Sequence, residues 1–208
     1  MRSSILTSLE LTTFTDYFKL NLDVEEVATY FGYTFASKNV VLPRTAQAIP
    51  WFDDLYDRIQ ESLPYISLTS EMARREFLIA PVLLDLIRHT QVKVKVEFAL
   101  DVSEQLKGTI DYFIQARHHL LVIEAKNADL QRGFTQLAAE MIAIDHWAEP
   151  STQVLYGAVS IGNIWQFGIL DRSEKSITQD LNLYRVPADL HELLHILIAI
   201  VTEQTELA

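Results

Sequence analysis

Apolar positions recur with two periods along this chain, and the switches between them outline its elements. Val92 to Phe98 alternates apolar and polar residues over seven positions, the period of a half-buried strand. Thr109 to Gln115 alternates more loosely, and Leu120 to Ala125 is a more apolar run. The polar connector Arg117, His118 and His119 between them predicts an antiparallel hairpin. A second hairpin is expected from Val154 to Ile161 and Ile164 to Leu170, turning at Gly162-Asn163, with Trp165 and Phe167 available for packing or for stacking on bases.

Helical spacing and capping residues supply the rest. Phe14, Tyr17, Phe18 and Leu20 suggest a short amphipathic helix. Asp23 to Phe31 is expected to be helical, capped by Asp23 or Asn21 and ended by Gly32, and Tyr33 to Leu42 to be a strand pair or one bent strand. Pro50 suits the first turn of a helix running to Ser62; Asp53, Asp54 and Asp57 cluster there, where a helix dipole favours acids without any metal. Thr69 or Ser70 caps a helix over 70–89 that Pro81 must kink or restart, because it removes the bond to Phe77. Further helices are predicted from Arg132 to Trp147 and from Pro187 to Thr205. The pattern predicts an α/β fold with a mixed central sheet of about four to five core strands, flanked by the helices at 70–89 and 132–147. Residues 1–65 read as an N-terminal accessory region, a lid over the core sheet or a surface for a homodimer, and 66–208 as the core with its C-terminal helix.

The densest chemistry lies on the first hairpin and the helix after it. A two-residue loop at His118-His119, or a four-residue loop from Arg117 to Leu120, would set Ala116 against Leu121 and Asp111 opposite Lys126. Asp111, Phe113, Val122, Glu124 and Lys126 would then project from one face, whereas a three-residue loop would break that arrangement. Two carboxylates about 4 Å apart repel by about 4 kcal/mol at an effective dielectric of about 20. A hard divalent cation, Mg²⁺ or Mn²⁺, removes the repulsion and prefers oxygen ligands. Such an ion polarises a phosphate oxygen and acidifies water, and a neighbouring lysine stabilises developing charge.

Gly108-Thr-Ile-Asp111, followed by Glu124-Ala-Lys126 and then Gln136 on a helix, resembles the PD-(D/E)XK nuclease superfamily, whose fold is restriction-endonuclease-like. Glu71-Met-Ala-Arg-Arg75-Glu-Phe-Leu78-Ile79-Ala-Pro81 is similar to the helix that opens this fold in the N-terminal nuclease segment of type I restriction motor subunits. The resemblance covers about residues 70–141. It implies Asp111 and Glu124 as metal ligands, Lys126 as the catalytic lysine, Gln136 as the helical glutamine and Glu71, with Glu76 as its rival, as an outer acid. Ile110 stands where proline often precedes the aspartate, and Glu140 where some members carry tyrosine. The implied activity is Mg²⁺-dependent hydrolysis of nucleic-acid phosphodiester bonds, with DNA the expected polymer. The alternative within that fold is a catalytically silent binding module.

Composition narrows the partners. A net charge of −11 argues against a protein that coats nucleic acid by bulk attraction. The excess acid nevertheless lies outside the matched stretch: residues 71–140 hold 9 Lys+Arg against 10 Asp+Glu, 1–70 hold 5 against 9, and 141–208 hold 3 against 9. Weak or transient contact with DNA is the expectation. With no cysteine there are no disulfides or thiolate metal sites. The N-terminus lacks a signal-peptide pattern and the longest apolar run, Ile196 to Val201, is too short for a bilayer, so a cytoplasmic protein without a membrane partner is expected. His191-Glu-Leu-Leu-His195 is a literal H-E-x-x-H, which makes a zinc hydrolase using His191 and His195 the rival reading. No Gly-x-x-His follows it, and the acids downstream, Glu203 and Glu206, stand close by.

Overall fold

The computed structural model describes residues 13–19, 22–116, 120–125, 129–149 and 153–202, with backbone path and pairing alone for 120–125. Two short helices, α1 (Phe14–Lys19) and α2 (Val24–Tyr30), precede strand β1 (Thr34–Lys38) and helix α3 (Phe52–Ser62). Helix α4 spans 71–90, followed by β2 (Lys93–Asp101), β3 (Lys107–Gln115) and β4 (Leu120–Ala125). Helix α5 (Leu130–Trp147) leads to β5 (Val154–Ser160), β6 (Ile164–Asp171), β7 (Ser176–Asp180), β8 (Tyr184–Arg185) and α6 (Leu190–Thr202).

The strands form one mixed eight-stranded sheet in the order β1-β7-β6-β5-β4-β3-β2, with β8 paired to β6. This exceeds the expected four to five strands, because β7 and β8 lie in a stretch of weak alternation and β1 joins through long-range parallel pairing with β7. β4 and β5 also run parallel, a connection that requires the α5 crossover. Residues on both sides of the expected 65/66 boundary share this sheet and both apolar clusters that cover it.

Each face buries a different set of helices. Leu55 and Ile59 of α3, Val82 and Leu86 of α4 and Leu193 and Leu197 of α6 pack with Tyr112, Ile114, Tyr156, Ala158 and Phe167 on one face. On the other, α1 and α2 cover α5, which lies on Phe113, Leu155 and Val159. Every α5 residue from Gly133 to Ile144 is therefore buried, on a helix apolar nearly all round. Two glycines let it approach the sheet: a Cβ at Gly157 would lie 2.7 Å from Met141 Sδ, and one at Gly168 2.8 Å from Phe134 Cζ.

Local signals explain the helix starts. The Asp23 carboxylate accepts from Glu25 N at 2.8 Å, the Ser70 hydroxyl from Ala73 N at 3.1 Å and the Asp129 carboxylate from Arg132 N at 3.0 Å. The interruption expected at Pro81 takes the form of a π-helical segment. α4 is α-helical over Glu71–Arg74, π-helical over Arg75–Ile79 and α-helical again over Ala80–Thr90. Widening the turn before a residue without an N–H keeps the helix continuous past it.

Candidate functional site

The hairpin expected to carry the chemistry forms, in a different register. β3 pairs β4 through Tyr112↔Ile123, Phe113↔Val122, Ile114↔Leu121 and Gln115↔Leu120. Gln115, rather than Ala116, closes the ladder, so the loop begins one residue earlier than expected and the pairing shifts by two. Asp111 therefore does not face Lys126; one further step of the observed register sets it opposite Glu124. In a regular strand a shift of two would preserve every face, but the expected common face of Asp111 and Phe113 does not hold: Phe113 packs in the cluster under α5, whereas Asp111 meets Arg75 of α4. Glu124 itself pairs with Val159 of β5. Its side chain, and all of Lys126, lie outside the described residues.

On its other side Asp111 meets a fault in the sheet. β2 and β3 keep one register from Lys93↔Gln115 to Asp101↔Lys107, interrupted at the position where Glu97 would face Asp111. Glu97 has φ +51, a left-handed conformation that costs a residue with a Cβ about 1–3 kcal/mol. The faces exchange here. Val94, Tyr112 and Ile114 belong to the cluster under α3, α4 and α6, whereas Phe98, Leu100 and Ile110 belong to the one under α5, although all six are even-numbered. Asp111 and Glu97 thus sit where the alternation inverts.

Arg75, the first residue of the π segment, fills the space beside this fault. Its guanidinium lies 3.0 Å from Asp111 Oδ1, 3.7 Å from Glu71 Oε1 and 4.0 Å from Glu97 Oε1. It also lies 5.9 Å from the centre of the Tyr112 ring. Burial pushes the Tyr112 hydroxyl's pKa up, with the Arg75 charge working against that shift. Glu76, the rival to Glu71, is exposed. On the α5 side, Lys95 lies 4.4 Å from the Phe98 ring centre and 5.9 Å from that of Trp147, as the inverted alternation allows.

The structure thus brings Glu71 and Asp111 together through Arg75 and puts Glu124 at the next register position. Gln136 sits one turn from Glu140 in α5, and its Nε2 donates to Glu140 Oε1 at 2.9 Å. Both are fully buried, and the Gln136 Oε1 acceptor has no hydrogen-bond partner among the described residues. Glu140 thereby has a structural use as the acceptor for Gln136. Arg75 and Glu97 lie outside the set of site residues that the sequence singled out. Arg75 stands four residues after Glu71, a spacing that signals contact; Glu97 becomes visible only once the β2–β3 register is known.

Other residues weighed for chemistry make packing and pairing contacts. Trp165 and Phe167 are fully buried, so neither is open to a base. Asp54 pairs with Arg58 at 3.2 Å within its own helix. In the H-E-x-x-H of α6, Glu192 is ion-paired to Arg44, His191 sits edge-on to Phe52, and His195 Nδ1 lies 2.7 Å from the Thr45 carbonyl oxygen. Among the described residues no group of three His, Cys, Asp or Glu side chains is placed to hold a metal ion, a set that leaves out the Glu124 side chain. Among the same residues no helix is long and apolar enough to cross a membrane. In comparisons with family models, curated proteins and solved structures, nothing matches this chain.

Proposed function

We propose that this chain is a metal-dependent nuclease that hydrolyses phosphodiester bonds of nucleic acid, DNA being the expected polymer, on a restriction-endonuclease-like scaffold. The observation that carries the reading is the drawing of one guanidinium onto Asp111, with Glu71 and Glu97 beside it, at the inversion of the sheet. Arg75 acts there as a stand-in cation, and the donors around it are carboxylate oxygens, which suit Mg²⁺ or Mn²⁺. The order of helix, hairpin and helical glutamine further supports the scaffold.

Asp111 and Glu124 are the residues that would hold the ion. Once bound, the ion supplies Lewis-acid polarisation of a phosphate oxygen and a water of lowered pKa. Lys126, two residues beyond Glu124, is assigned to orient the attacking water and stabilise charge on the phosphate. Glu71 serves as the outer acid and pairs with Arg75. Gln136 supports from α5, which packs on the strand carrying Glu124, and its buried Oε1 is an acceptor suited to a donor at the site. The overall charge of −11 restricts the encounter with DNA to weak or transient contact, and homodimerisation is an open part of the proposal.

One observation favours the silent alternative: Asp111 already has its charge met by Arg75 at 3.0 Å. Nicking of supercoiled plasmid in Mg²⁺ or Mn²⁺ separates the two. The nuclease reading expects cleavage that falls about a hundredfold or more in Asp111→Ala and in Lys126→Ala. Undiminished cleavage in either variant overturns the assignment, and no cleavage with any divalent ion leaves the binding module.

A further inference from the structure

Among the described residues three carboxylates approach the Arg75 guanidinium, and their distances rank them. Of these, Asp111 at 3.0 Å is within hydrogen-bonding reach, while Glu71 at 3.7 Å and Glu97 at 4.0 Å stand off. Asp111 is also the most sheltered, its side chain 17 % exposed against 44 % for Glu71 and 72 % for Glu97. Arg75, at 22 %, thus makes its closest contact with the carboxylate assigned above to the metal. A guanidinium and a divalent ion both need that carboxylate's oxygen lone pairs, and each weakens the other's hold through like charge.

Resting on the nuclease reading, we propose that Arg75 is a positioning residue that neutralises Asp111 in the metal-free protein and withdraws toward Glu71 and Glu97 when a divalent ion binds. The two outer carboxylates make this exchange feasible. They already lie within 4.0 Å of the guanidinium, so a withdrawn Arg75 keeps an ionic partner rather than becoming a buried unpaired charge. The arrangement links two properties in opposite senses. Arg75 holds the carboxylates together without metal and, by competing, weakens the affinity for metal.

The test uses Mn²⁺ alone as the probe, with binding followed by the spin-resonance signal of the free ion and by melting temperature. Arg75→Gln is expected to bind Mn²⁺ about tenfold more tightly than the wild type, the factor that about 1.4 kcal/mol of lost competition represents. Its metal-free melting temperature falls, and Mn²⁺ raises it by more than it raises the wild type's. Arg75→Lys keeps the charge but not the planar fork, and binds Mn²⁺ with an affinity between the two. Asp111→Asn removes the binding in every background. If Arg75→Gln binds Mn²⁺ no more tightly than the wild type while Asp111→Asn still abolishes binding, the exchange is overturned and the metal site stands. If neither wild type nor Arg75→Gln binds Mn²⁺, the exchange and the nuclease reading fall together. An Arg75→Lys protein that binds as tightly as Arg75→Gln overturns competition by charge.

Discussion

The centre of the sheet and its β2–β3 edge obey different rules. Across β5 and β6 the alternation is regular: Leu155, Val159 and Leu170 face α5, while Tyr156, Ala158, Trp165 and Phe167 face the opposite cluster. Almost every one of these residues is fully buried, and closeness to α5 is set by Gly157 and Gly168. Across β2 and β3 the faces exchange at Glu97 and Asp111, a residue with a Cβ adopts a left-handed backbone, and the charges gather around Arg75. Packing alone accounts for the first region. The second holds strain and converging charge that packing does not require, which is why the candidate site is placed there.

Substitutions in each region sharpen this contrast. The largest effect on stability belongs to the regular centre. Phe167 is fully buried, with its ring 5.5 Å from that of Tyr184, and Phe167→Ala is expected to destabilise by about 3–5 kcal/mol. A urea-midpoint change under about 1 kcal/mol would show that this centre is not the rigid region. A smaller effect of opposite sign belongs to the irregular edge. Glu97→Gly removes the left-handed strain and one of the clustered acids, and is expected to stabilise by about 1 kcal/mol. Glu97→Gln retains the backbone cost and should give no comparable gain. Equal midpoints for the two variants would mean that Glu97 is not strained.

The contrast also explains what could be read from the chain. The β5–β6 hairpin was legible because Gly162-Asn163 separates two strongly apolar runs, and α5 because its spacing is local. Strand β7 was not, since Ser176–Asp180 acquires its role from partners far along the chain, parallel to β1 and antiparallel to β6. At the site, residue type and spacing singled out Asp111 and Glu124 and the resemblance added Glu71, but the common face expected for Asp111 and Phe113 fails, because the alternation inverts at Asp111 and turns it to Arg75 of α4 while Phe113 packs under α5. The Glu97 conformation and the Arg75 convergence arise from a β2–β3 pairing and a π turn that no local pattern encodes.

The most direct test of the central claim is a Mn²⁺-soaked crystal examined for anomalous scattering. The account predicts one strong peak coordinated by carboxylate oxygens of Asp111 and Glu124, with the Arg75 guanidinium drawn away from Asp111. No peak at that pair under saturating Mn²⁺, or a peak confined to His191 and His195, would contradict it.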